Sequence, residues 1–176
     1  MQNAKRALLV LDAQTGDKKA WHSLVKQHHR GLVSFAVKLC RNTDMAQDIV
    51  QDTWLSAAKS LRNLRDPSLF KPWLYRILRW RVVDAQRKAS RYETSADDVD
   101  AAVAAPQSVD QSPCNLWDRA ELNELDKQCL HLFYLDELKI TEIAVVLNIS
   151  AGTIKSRLHR ARGRLKTLLE NENEDR

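Results

Sequence analysis

Six basic residues, Lys155, Arg157, Arg160, Arg162, Arg164 and Lys166, fall within twelve positions that hold no acid, with Ser156 and His159 among them. Cations meet phosphate oxygens, and hydroxyl or imidazole groups can read base edges, so this run suits duplex DNA; a solvated basic helix is the plain alternative. A second set, Lys71, Arg76, Arg79, Arg81, Arg87 and Lys88, faces a single acid, Asp84, and encloses Trp80. An aromatic ring among arginines suits single-stranded DNA, where an unpaired base stacks while cations hold its phosphates; equally, Trp80 could close a seam between helices. A third set has the opposite sign. Asp44, Asp48, Gln51, Asp52 and Leu55 make an acidic strip with an apolar edge, either a solvated face or a surface for protein.

Hydrolytic chemistry finds little support. His22, His28 and His29 have no carboxylate at ligand spacing and read as surface histidines, and Cys129 with His131 lacks further ligands. No catalytic residue, cofactor or metal site is expected.

The elements that would position these side chains are helical throughout. Four glycines and four prolines among 176 residues, with no alternating apolar runs, argue against strands. Gly16 followed by Asp17 reads as a helix end and the next N-cap; Asn42-Thr43-Asp44 starts a further helix, and Asp66-Pro67-Ser68 breaks the chain before one from Phe70 to Lys88. On that last helix Leu74, Ile77, Leu78 and Ala85 share one side, and Arg76, Arg79, Trp80, Val83 and Arg87 the other. Towards the C-terminus, Ile143, Ala144 and Leu147 would pack a first helix, Asn148 would turn the corner, and Ser150 would cap a second helix. Ile154, Leu158, Ala161 and Leu165 would form its apolar face, leaving Lys155, Ser156, His159, Arg160 and Gly163 outward. Phe133, Tyr134 and Trp117 sit in apolar stripes and read as core.

Between these regions the composition changes. Between Glu93 and Asp118 there is no lysine or arginine, while Glu93, Asp97, Asp98, Asp100, Asp110 and Asp118 are acidic among Ala, Ser, Gln and Pro. Such a stretch has little to bury and reads as a tether. The expected architecture is all-α: a helical domain over 1–92, a flexible acidic linker over 93–115, a helix-turn-helix domain over 116–170, and a tail over 171–176. A net charge of +5 suggests an anionic partner. Three scattered cysteines form no disulfide framework, and Ala7 to Leu11 is too short for a signal segment. The expectation is a soluble, cytoplasmic chain without membrane insertion.

These pieces, in this order, resemble the extracytoplasmic-function sigma factors of the sigma-70 family over nearly the whole chain. Gly16-Asp17-Lys18-Lys19-Ala20-Trp21 is similar to that family's Gly-Asp-x-x-Ala-aromatic start. Asp44 to Leu55 resembles its polymerase-binding helix, which shifts the reading of the acidic strip from solvent to interface. Trp73-Leu74-Tyr75-Arg76-Ile77 resembles its Trp-Leu-Tyr-Arg-Ile signature, and Gly152-Thr153-Ile154-Lys155-Ser156-Arg157 opens a stretch similar to its Gly-Thr-Val-Lys-Ser-Arg-x-x-Arg-Ala-Arg motif. Two positions depart. Trp80 stands where the family often has a short polar residue, frequently Asn, near a flipped promoter base, so no minus-ten preference carries over. Lys139 stands where a serine would cap the first helix of the helix-turn-helix, which should weaken that start.

The resemblance implies a protein that performs no chemistry and takes no small-molecule substrate. It would join an RNA polymerase core through the beta-prime clamp helices and the beta flap, and select promoter DNA. Asp44, Asp48, Gln51, Asp52 and Leu55 would meet the polymerase. Asn63, in a loop from Leu61 to Lys71, would capture unpaired minus-ten bases with Lys71, Arg76, Arg79, Trp80 and Arg87. Thr153, Lys155, Ser156, Arg157, His159 and Arg160 would read the minus-thirty-five element. The acidic linker would lie in the RNA-exit path, and an anti-sigma factor would hold the protein inactive. The rival readings are a dimeric helix-turn-helix regulator independent of polymerase and, more remotely, a metal hydrolase.

Overall fold

The structure, a computed structural model, describes residues 2–93, 116–117 and 119–174. The chain divides into two compact units, Met1–Pro106 and Gln107–Arg176. The expected acidic linker falls, from residue 94 onward, outside the described residues. Every regular element among the described residues is helical.

In the first unit α1 (Gln2–Gln14), α2 (Lys18–Cys40), α3 (Thr43–Ser60) and α4 (Phe70–Glu93) pack around one apolar centre. The breaks between them follow from local chemistry. Gly16 takes φ 102°, a conformation costly to any residue with a β-carbon, and ends the turn after α1. The Asp17 carboxylate then accepts from the backbone N–H groups of Lys19 (2.7 Å) and Ala20 (3.3 Å), satisfying two donors at the start of α2. Asn42 does the same for Met45 at the start of α3 (2.9 Å). Leu24, Leu32, Phe35, Ala36, Val50 and Leu74 are fully enclosed. Phe35 and Tyr75 meet at a tilt across the α2–α4 seam with ring centres 5.7 Å apart, and Trp21 meets Trp54 edge-on at 5.6 Å. On α4 the buried stripe is Phe70, Leu74, Tyr75, Leu78 and Val82; Ile77 and Ala85, expected in it, flank it half-buried.

In the second unit α5 (Glu124–Leu130) runs into a single π turn (His131–Leu135), followed by α6 (Ile140–Leu147) and α7 (Ala151–Glu174). Leu130, Leu132, Ile143, Val146, Ile154, Leu158 and Ala161 form the core; Ala144 is only half-buried, and Val146 takes the place expected for it. Trp117 is buried edge-on to His131. Two aromatic expectations need correcting. Tyr134 is half exposed and Phe133 half-buried, because the π turn rotates both outward, where the Arg162 guanidinium lies over their rings.

Candidate nucleic-acid and protein interfaces

The corner between α6 and α7 is built by three short interactions. Asn148 adopts the left-handed conformation (φ 55°, ψ 46°), which asparagine tolerates well, and ends α6. Ser150 Oγ accepts from the Thr153 N–H at 3.1 Å and caps α7. At the other end of α6 the missing serine is partly compensated. Glu142 reaches back to the Lys139 N–H at 2.7 Å, which makes one half of a capping box.

With Ile154, Leu158 and Ala161 turned inward, Lys155, Ser156, His159 and Arg160 stand exposed on the opposite face of α7. Thr153 is half-buried, its hydroxyl 2.8 Å from that of Ser150. Arg157 is not with them. Its Nη1 lies 2.8 Å from Oδ1 of the buried Asp126 on α5, so its charge is committed within the unit.

In the first unit Arg76 and Arg87 are exposed, and Lys71 and Arg79 half-buried. Lys71 Nζ sits 5.8 Å from the centre of the Tyr75 ring. Trp80 does not close a seam: 60% of its surface meets solvent, and the Arg81 guanidinium covers the ring at 5.3 Å. Arg81 in turn donates to Ser56 Oγ on α3 at 2.6 Å. Asn63 is exposed in a 3-10 turn (Leu61–Asn63) ahead of α4. That loop is pinned from a distance, since Gln14 Nε2 donates to the carbonyls of Leu61 (2.9 Å) and Leu64 (2.8 Å). Asp66 closes the next turn by accepting from the Ser68 N–H at 2.9 Å and its hydroxyl at 2.7 Å; these bonds hold its carboxyl below the ordinary aspartate value. Sequence reasoning did not single out Gln14, Ser56 or the bracing role of Arg81, because each acts on a residue of another element.

Asp44, Asp48, Gln51 and Asp52 are all exposed along α3, and Leu55 is 55% exposed. Ala46, Ile49, Val50, Thr53 and Ala57 bury the other side of the helix and fix this presentation. Beside the strip runs a groove of about 830 Å³ between α2 and α3, lined by Trp21, Val25, Val33, Gln51, Trp54 and Leu55.

The histidines stand apart from one another in environment. His22 and His29 are exposed, but His28 is not the surface residue expected. It lies half-buried with its ring 5.5 Å from Phe70, and burial, with Lys71 and Arg6 nearby, pushes its imidazole down to about 4. Cys129 is buried, and burial with the Asp126 charge pushes its thiol up to about 11, so it stays protonated and inert. Among the described residues no three His, Cys, Asp or Glu side chains group as metal ligands, and no helix is long and apolar enough to cross a membrane.

Comparison with known proteins gives a consistent answer. The sigma-70 region 2 model matches residues 24–92, and the sigma-70 region 4 model matches residues 120–165. The extracytoplasmic-function RNA polymerase sigma factor SigM of Bacillus subtilis is 32% identical over 142 residues, which cover 76% of this chain and 85% of that protein. The RNA polymerase sigma factor NccH of Alcaligenes xylosoxydans is 30% identical over 173 residues, covering 92% of this chain and 93% of its own. Among solved structures, the sigma factor RpoE of Bartonella quintana in complex with the anti-sigma factor NepR superposes with a TM-score of 0.69 at 26% identity, over 86% of this chain and 98% of that one. CnrH in complex with the cytosolic domain of CnrY gives 0.68 at 25% identity, over 94% and 97% of the two chains.

Proposed function

The chain belongs to the extracytoplasmic-function sigma factors of the sigma-70 family, and from that premise we propose how its residues divide the work of promoter-specific initiation. Such a factor joins an RNA polymerase core and directs it to promoters; it is an initiation factor rather than an enzyme. In this reading the chain contributes no bond-making step of its own and works in the cytoplasm.

Asp44, Asp48, Gln51, Asp52 and Leu55 form the docking face for the polymerase clamp, while the beta flap engages the second unit. The carboxylates steer a basic partner, and Leu55 with the neighbouring groove supplies apolar area to bury. Lys155, Ser156, His159 and Arg160, with Thr153 at the helix start, enter the major groove of the minus-thirty-five element. Each well-formed base contact there is worth about 1–3 kcal/mol of discrimination. Arg157, placed in the same motif, would act through Asp126 by holding α7 against α5. Asn63, Lys71, Arg76, Arg79, Trp80 and Arg87 hold the melted minus-ten strand by phosphate contact and stacking. Since RpoE of Bartonella quintana is solved with an anti-sigma factor, a partner of that kind is proposed to hold this chain idle.

The observation that carries this reading is the exposed row Lys155, Ser156, His159 and Arg160 on a helix whose opposite face buries Ile154, Leu158 and Ala161. The test is transcription from a library of random upstream sequences with purified core polymerase, comparing wild type with Asp48→Arg/Asp52→Arg. Starts downstream of a paired motif, lost in the double variant, support it. Footprints on duplex DNA by the chain alone, without dependent starts, would instead mark a polymerase-independent regulator.

A further inference from the structure

A chain of contacts ends on Trp80. The Ser56 hydroxyl donates to the carbonyl of Asp52 one turn back on α3 at 2.8 Å, which fixes its orientation. Its oxygen then accepts from Arg81 Nη2 at 2.6 Å, and the Arg81 guanidinium lies 5.3 Å from the centre of the Trp80 ring. At that distance the guanidinium makes a cation–π contact with the indole, which favours the ring orientation that keeps it. The ring nevertheless keeps 60% of its surface in solvent. An isolated exposed tryptophan would sample several rotamers and lose entropy on binding; this one is held from a neighbouring helix before any ligand arrives.

We infer that Ser56 and Arg81 are positioning residues that hold Trp80 as a stacking platform for one unpaired promoter base, so that this position is read through the face of the base and tolerates its identity. The inference rests on the minus-ten reading above and deepens it. Every base has a π-face, whereas indole offers a single N–H donor and no acceptor, too little to rank four base edges. Asp84, the one acid on the described part of this face, pairs with Lys88 at 2.9 Å.

The test uses holoenzyme assembled from core polymerase and the full chain, on the strongest promoter recovered from a random library. Templates carry, at each minus-ten position of the non-template strand in turn, one of the four bases or an abasic site. At one position wild type should accept all four bases within about threefold yet lose about tenfold or more on the abasic template. Trp80→Ala should abolish that abasic penalty and Trp80→Phe should restore most of it. Arg81→Met and Ser56→Ala should each shrink it at that position alone, with core affinity unchanged. A penalty that survives Trp80→Ala, or a wild type that ranks the four bases by more than about tenfold at the position Trp80 controls, overturns the inference while leaving sigma activity in place. Absence of any factor-dependent start in the initial library overturns the sigma reading itself, and this inference with it.

Discussion

Arg157 Nη1 and Asp126 Oδ1 meet at 2.8 Å, with 22% of the arginine side chain and 6% of the aspartate exposed, so the pair ties α7 to α5 largely out of water. An arginine within the stretch proposed to read DNA thus also braces the unit. Arg157→Ala should lower the stability of the second unit by about 2 kcal/mol and leave the salt dependence of duplex binding unchanged. Lys155→Ala and Arg160→Ala should do the reverse, keeping stability within about 0.5 kcal/mol while each reduces the salt slope by about 1. Urea unfolding and binding titrations across salt separate the two behaviours.

Gln14 fastens the loop before α4 through two carbonyls some fifty residues away. Gln14→Ala leaves both acceptors without that partner, at a cost of about 1–2 kcal/mol. The expected result is weaker binding of single-stranded minus-ten oligonucleotide by holoenzyme, with unchanged affinity for minus-thirty-five duplex. Fluorescence anisotropy with the two probes gives the answer.

The start of α6 holds half a capping box, with Glu142 bonded to the Lys139 N–H and no hydroxyl to complete it. Lys139→Ser should stabilise this helix start by about 1 kcal/mol. Slower amide hydrogen exchange across Ile140–Leu147 than in wild type is the measurement.

His28 supplies a pH signature. Its folded value near 4 lies below the ordinary 6.5, because burial first, then Lys71 and Arg6, disfavour the charged imidazole. The unfolded chain therefore binds a proton that the folded chain refuses. Its contribution is fully present above pH 6.5 and is lost as pH falls toward 4. The melting temperature of wild type should decline more steeply through that window than that of His28→Leu, followed by circular dichroism.

What the sequence made legible were features that depend on near neighbours. Asp17, Asn42 and Ser150 cap the helices they precede, and Asn148 turns its corner, because a cap needs only a short polar side chain and the next turn of backbone. Lys155, Ser156, His159 and Arg160 follow from the helical period once Ile154 and Leu158 are known to be inside. The period says which way a Cα faces but not where a long side chain goes. Arg157 therefore reads as a DNA contact until Asp126 is seen beside it, and Arg81 as one more cation until Ser56 is. Tyr134 escaped for a different reason: a π turn shifts the register by which its stripe was judged. Gln14 carries no local signal at all, since its partners are joined to it only by the fold.

Leu55 and Trp80 keep 55% and 60% of their surfaces wet in the free chain. In the proposed roles each keeps apolar surface in solvent for its target, and apolar surface in solvent also lowers solubility. Competence and solubility therefore pull in opposite directions. On those roles, a partner that covers both groups while the factor is idle relieves that opposition.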